Sequence, residues 1–318
     1  MGQTGKMEIS PKVEMRAGYS RLRSRNNLIA FLFLLPTLVM LLVFNYYPAI
    51  GAFFYSFTSW NGFNAPKFIG FSNFTEMFGT PVFSKAFWNL MWLTLFQIVA
   101  SITIPLLVAR MIYKVRSQKL QNAYRMLFVF PLVIPGMVIV LLWQFILNPD
   151  VGMLNALLSL FGVPDEKLPI WLGSMDTALF ALMLIGFPWV SGVSLLIFLA
   201  GFQGISQEIV ESATVDGATG FRLFYKIELP LVLAQIKLIL ILTIIGGLQT
   251  FQTPLVLTGG GPANSTTVPG LLMYNEAMVN NRMGFACAIG VVLFILIFAL
   301  TYINNRYLNS TMEYSPRK

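Results

Sequence analysis

The chain has 318 residues, of which 56% are hydrophobic and only 11% charged, with a net charge of +8. A soluble domain carries about 25% charged residues, so most of this chain has no need to face water, and no polar stretch is long enough to build a separate soluble domain. The absence of histidine and the single cysteine, Cys287, exclude an internal disulfide and remove the commonest proton shuttle and metal ligand.

Residues 1–27 are polar and basic, with Arg21, Arg23 and Arg25 directly ahead of the first apolar run. That run is too long for the core of a secretory signal, and no small-residue cleavage site follows it, so it reads as a membrane span. A helix crosses a bilayer with about 20 apolar residues. Six stretches qualify: Leu28–Tyr47, Phe87–Tyr113, Met126–Leu147, Thr177–Gly201, Leu231–Leu257 and Gly284–Ile303. None contains an acidic residue. Arg110 and Lys237 lie near span ends, where long side chains are expected to snorkel to the interface, and Trp143 is expected to anchor there. Cys287 sits in an apolar run and reads as a small packed residue.

Basic residues concentrate in cytoplasmic loops. With the N-terminus inside, all but four of the 21 Lys and Arg residues are cytoplasmic; only Lys67, Lys85, Lys167 and Arg282 lie outside. The predicted fold is an all-α membrane protein of six transmembrane helices with both termini cytoplasmic. Residues 1–27 form a basic N-terminal segment, 28–307 the six-helix domain and 308–318 a C-terminal tail.

The inside loop Phe202–Pro230 is too patterned for a plain connector. Ser206 is placed to cap a short helix from Gln207 to about Val215, Asp216-Gly217 is a turn dipeptide, and a second helix, Phe221–Glu228, leads to Pro230. Two short helices on the inner surface make a knob that a soluble partner can grip. Glu211-Ser212-Ala213, Gly217, Ile227 and Leu229-Pro230 resemble, at every spacing, the EAA loop of binding-protein-dependent ABC import permeases. Ser212 stands where the family has its middle alanine. The resemblance implies a type I importer permease whose loop couples to an ATPase through Glu211, Ser212, Ala213, Asp216 and Gly217. Gly217 can take the positive φ of a sharp reversal, the small side chains allow close approach, and the two acidic groups can meet basic ones.

The remaining likenesses cover nearly the whole chain. Pro36, Tyr47-Pro48, Ser56-Phe57, Gly70 with Asn73, Trp143 with Asn148, Gly152 and Asn155, and above all Leu257-Thr258-Gly259-Gly260-Gly261-Pro262 with Ser265-Thr266 resemble carbohydrate permeases of the maltose-porter subfamily. From its residues alone the LTGGGP segment reads either as a flexible outer loop or as a shaped outer mouth. Polar groups inside spans should face a cavity or a neighbouring helix, and two clusters stand out: Gly186-Phe187-Pro188-Trp189, and Gln249, Thr250, Gln252 and Thr253 after Gly246-Gly247. By resemblance, Gly186, Trp189, Gly247 and Thr250 fall at sugar-contact positions. Gln249 and Gln252 are candidate substitutes for the family's asparagines or, equally, interhelical glue.

The resemblance implies an ATP-driven importer with a second homologous permease, two ATPase subunits that bind ATP and Mg, an extracytoplasmic solute-binding protein, a sugar substrate and surrounding membrane lipid, and no nucleic acid. No catalytic or metal-binding residue and no cofactor is assigned to this chain, which has no phosphate-binding G-x-x-x-x-G-K-[ST] motif. An ion-coupled transporter would keep an acidic group or histidine within its spans, and an intramembrane enzyme a catalytic pair. A glycerol-phosphate importer would want cations in its cavity.

Overall fold

The computed structural model describes Ile29 and residues 31–307. The segments expected at 1–27 and 308–318 lie outside the described residues. Among those described, the structure is helical, with a lone bridge between Thr58 and Phe68 and no named strand. The chain divides into two units, residues 1–54 and 55–318.

The first unit holds nearly all of α1 (Phe31–Tyr55). Pro48 has no N–H to offer the carbonyl of Phe44. The helix widens into a π-type turn over Leu42–Tyr46 just ahead of it, the usual accommodation of a lost ladder bond.

In the second unit, α2 (Ser72–Gly79) is followed by α3 (Pro81–Tyr113), with Pro81 at the first helical position, where a missing N–H costs nothing. Its 33 residues span about 50 Å, so α3 outreaches a hydrocarbon core of about 30 Å. The expected third span is two helices, α4 (Gln118–Val133) and α5 (Gly136–Ile146), meeting at 91°. Ile134 precedes Pro135 and is extended, ψ 126°, as the proline ring demands of the residue before it. After α6 (Met153–Leu160), the expected fourth span is split into α7 (Ala178–Leu184) and α8 (Gly192–Gln203). The Gly186–Trp189 segment lies between them, with φ of +80° at Gly186 and +56° at Trp189. The loop 202–230 forms α9 (Gln207–Val215) and α10 (Gly220–Leu231). The fifth span is α11 (Leu233–Leu248), a break at Gln249–Phe251, and α12 (Gln252–Leu257). α13 (Pro269–Met278) and α14 (Met283–Tyr307) complete the chain.

Among the described residues, α1, α3 and α14 are long and apolar enough to cross a membrane unbroken, and up to six spans result when bent helix pairs are counted. Six spans therefore hold as an upper count. The third, fourth and fifth are not the continuous helices read from hydropathy; each is interrupted.

Helix α3 is the spine of this unit. Its N-terminal half contributes Phe83 and Leu90 to a core with Leu248, Leu271 and Ile289, and its C-terminal half contributes Leu106, Ala109 and Ile112 to a second core with Phe198, Phe202 and Phe224. A smaller cluster of Val140, Leu182 and Leu257 joins α5, α7 and α12. Large exposed apolar side chains such as Phe298 and Ile295 on α14 suit a surface that meets lipid.

Several residues that carry the family likeness prove to be loop-builders. Buried Asn73 donates to the carbonyls of Ser56 and Thr58 at 2.8 and 3.0 Å. Asn155 donates to Pro149 and Pro169 and accepts from the indole of Trp171 at 2.7 Å. A side chain at Gly152 would strike the carbonyl of Asn148 at 2.2 Å.

Candidate functional site

The three interrupted spans bring their breaks to one place. A cavity of about 730 Å³ lies between α3, the α4–α5 bend, the α7–α8 break and the start of α12. Helix α3 lends it Phe96, Gln97, Ala100 and Ser101, the fourth-span break Gly186 through Gly192, and the fifth-span break Thr250, Thr253 and Pro254. None of its lining residues is charged; its polar side chains are Gln97, Ser101, Ser191, Thr250 and Thr253. Trp143 also lines it, against the expectation of an interfacial anchor, because the 91° bend turns α5 toward the cavity.

The aromatic wall is tightly built. Trp189 meets Phe96 edge-on at 5.3 Å and Phe187 at 4.9 Å, and its indole N–H is spent on the carbonyl of Met183. A half-buried ring held this way offers its apolar surface rather than a donor. Ser101 accepts or donates with Thr243 at 3.1 Å and donates to the carbonyl of Gln97, while Ser191 caps α8 by accepting from the N–H of Ser194. The side chains of Gln97, Thr250 and Thr253 have no hydrogen-bond partner among the described residues, which leaves an amide and two hydroxyls for a ligand.

Of the residues expected at the substrate site, the fold thus gathers Gly186, Trp189 and Thr250. Gly247 is elsewhere: it is buried against α3, where a Cβ would stand 3.1 Å from the Gln97 Oε1 and from Thr94 Cγ2. Gln249 and Gln252 are exposed and outside the cavity lining, and their side chains make no hydrogen bond among the described residues, so neither side chain glues these helices together. Gln97 and Ser101 belong to the cavity but escape a reading of clusters, since each is an isolated polar residue; their four-residue spacing, one face of a helix, is the available signal.

The loop after α12 is shaped, not slack. Thr266 and Thr267 donate to the carbonyls of Gly261 and Gly260, and Thr258 and Thr266 share a bond of 2.7 Å. Asn89 of α3 donates to Thr267 and Asn264, and Lys85 to Ala263.

At the other end, α9 has the expected bounds, with Ser206 at its N-cap but without a side-chain capping bond. It closes in a Schellman turn: Ala218 N–H to Ala213 carbonyl, 2.8 Å, and Gly217 N–H to Thr214 carbonyl, 3.0 Å, with Gly217 at φ +81°. Glu211, Ser212, Asp216 and Gly217 are exposed, and Gln207 donates to Glu211 at 2.7 Å. Ala213 points inward, buried, so its small size serves packing of the turn rather than close approach from outside. The second helix starts one residue earlier than expected and runs on through Pro230 to Leu231.

One buried ion pair escapes the sequence altogether. Glu228 is 1% exposed, with Arg110 Nε at 2.5 Å and Lys114 Nζ at 3.4 Å. Arg110 also donates to the Gly220 carbonyl at 3.0 Å and lies 4.5 Å over the ring of Phe224. Arg110 therefore does not snorkel; a buried carboxylate holds it inward. Lys237, by contrast, reaches the carbonyl of Asn305.

Residues 101–314 match the family described as binding-protein-dependent transport system inner membrane component. The probable ABC transporter permease protein YurN of Bacillus subtilis is 33% identical over 91% of this chain and 99% of its own. The multiple sugar-binding transport system permease protein MsmF of Streptococcus mutans is 34% identical, covering 83% of this chain and 90% of that one. A solved bacterial ABC transporter involved in the import of the acidic polysaccharide alginate shares the fold, with a TM-score of 0.78, 24% identity, and coverage of 92% of this chain and 100% of that chain. The chain belongs to the family of binding-protein-dependent transport inner membrane components, and is a multi-pass ABC transporter permease.

Proposed function

We propose that this permease is one of two transmembrane subunits of an ATP-driven importer that moves a neutral sugar or oligosaccharide across the bacterial cytoplasmic membrane by alternating access. The observation that carries the reading is the uncharged cavity at the span breaks, lined both by aromatic surface and by the free polar groups of Gln97, Thr250 and Thr253. Sugars are held by such pairs of stacking faces and hydrogen bonds. Relatives named for uptake of multiple sugars, diacetylchitobiose, arabinooligosaccharides and trehalose/maltose support the substrate class. A phosphate-bearing substrate such as glycerol 3-phosphate fits less well, since no cation lines the cavity.

In this reading a solute-binding protein delivers sugar to the outer loops, and a homologous permease completes the pathway. Two ATPase subunits bind ATP and Mg and act on the loop 202–230, switching the cavity between sides of the membrane. The exposed Glu211, Ser212, Asp216 and Gly217 are the surface offered to them. The test is uptake by the complete reconstituted complex from a panel of neutral oligosaccharides, uronate oligosaccharides and glycerol 3-phosphate. Uptake of a neutral saccharide is expected; uptake confined to the anionic members would overturn the substrate class.

A further inference from the structure

The salt bridge at the inner end of α3 has a reach that its local chemistry does not require. Arg110 holds α10 at three levels: the carbonyl of its first residue, Gly220, the ring of Phe224 and the carboxylate of Glu228. Lys114, at the C-cap of α3, approaches the other carboxylate oxygen at 3.4 Å. The apolar cluster of Ala109, Ile112, Phe202 and Val232 lies beside them, and the carboxylate of Glu228 is closed off from water while Arg110 and Lys114 keep part of their surface exposed. Apolar surfaces alone permit sliding, whereas a planar guanidinium bonded at two points fixes register, and separating a buried carboxylate from its cations is strongly disfavoured.

The other fact is where α3 goes. Nine residues back from Arg110, about 13 Å along the helix, Ser101 lines the cavity, followed by Ala100, Gln97 and Phe96. α3 is helical throughout Pro81–Tyr113, and the only irregularity between them is Pro105, which leaves the Ser101 carbonyl without its ladder bond while the helix continues past it. The second half of the inside loop and the cavity wall are thus two ends of one rod, pinned at its inner end by charge.

We propose that Arg110 and Glu228, with Lys114, are positioning residues that transmit displacement of the loop 202–230 along α3 to the cavity, so that breaking the pair uncouples the cavity from the ATPase without stopping ATP turnover. This rests on the reading of that loop as the surface on which the ATPase subunits act, but it does not depend on the identity of the substrate.

The experiment uses the complete complex with cysteine-free partners. Cys287→Ser removes the native thiol and Ser101→Cys places a reporter in the cavity wall. Its maleimide reaction rate is measured with and without ATP and vanadate, and trapped ADP is counted in the same samples. With the pair intact, trapping is expected to change the rate by about fivefold or more, the low end of ordinary coupling between sites. In Glu228→Gln the change should shrink to within about twofold, while trapped ADP persists. A full change in rate in Glu228→Gln overturns the proposal, as does a reporter that fails to respond with the pair intact. If Glu228→Gln does not assemble, Arg110→Lys, which keeps a cation beside the carboxylate but loses the fork, is read the same way; failure of both to assemble assigns the pair to folding alone and overturns the proposal too. Because this measurement contains no saccharide, failure of sugar uptake strikes the substrate class and leaves this inference standing.

Discussion

The indole N–H of Trp189 donates to the main-chain carbonyl of Met183 at 2.9 Å, across the break in the fourth span. Helix α7 ends at Leu184, so that carbonyl has no intrahelical donor of its own. The bond satisfies a group freed by the break and holds the ring against the cavity. It does so at a price in backbone conformation, since Trp189 sits at φ +56°, a region that bulky residues rarely occupy.

Trp189→Phe and Trp189→Ala should therefore differ. Phenylalanine keeps a ring against Phe96 and Phe187 but leaves the Met183 carbonyl unbonded, costing about 1 kcal/mol of stability. Alanine also loses the stacking face, worth about 0.5–1.5 kcal/mol beyond its area, or up to about tenfold in saccharide affinity. Uptake and basal ATP hydrolysis of the reconstituted complex separate the two effects: basal hydrolysis is retained while uptake falls for alanine. Equal uptake by Trp189→Ala and the unaltered protein removes the ring from the pathway.

Gly247 and Thr250 lie three residues apart yet should fail in different ways. Gly247→Leu forces a side chain between α11 and α3, where Thr94 and Gln97 stand at 3.1 Å. Overpacking of this kind costs about 1–3 kcal/mol, so a lower Tm is expected. Thr250→Leu fills the cavity and removes an unspent hydroxyl; Tm should hold while uptake falls. A shifted sugar preference in Gly247→Leu with no loss of Tm would place Gly247 in the site after all.

Membrane character is legible in the sequence because span length and the acidic-free runs are local properties. The breaks are less so. Pro131, Pro135, Gly186 and Pro188 announce irregular backbone, but hydropathy averages over them and reads residues 126–147 and 177–201 as whole helices. The loop 202–230 is legible at Gln207–Val215, since turn chemistry at Asp216-Gly217 is also local. Glu228 is not: its burial is created by Arg110, 118 residues earlier, and a lone acidic residue beside a span otherwise reads as solvated. Gly247 escapes for the same reason, because its role is set by Thr94 on another helix.

Orientation rests on the basic bias of the loops and is open to direct labelling. Glu166→Cys and Ser117→Cys, each in a Cys287→Ser chain, place single thiols at exposed positions on opposite sides of the expected membrane. A membrane-impermeant maleimide added to intact cells should label position 166 and label position 117 only after lysis. Labelling of position 117 in intact cells contradicts cytoplasmic termini.

Gly217 offers a test in which conformation and crowding are separable. A Cβ built there meets nothing within 4 Å, so in this chain the only obstacle to a side chain is φ +81°. Left-handed backbone costs an ordinary L-residue about 1–2 kcal/mol and is tolerated best by asparagine. Activity should then fall in the order Gly, Asn, Ala, Val, with membrane levels unchanged and a loss at alanine of about fivefold to thirtyfold. Loss of the turn opens the bonds from Ala218 to Ala213 and from Gly217 to Thr214, so the defect should appear as weaker co-purification of the ATPase subunits. If a partner instead packs directly on this glycine, asparagine and valine will fail alike, because both are then excluded by volume; the graded series distinguishes a turn that shapes the coupling surface from a glycine that is itself the contact.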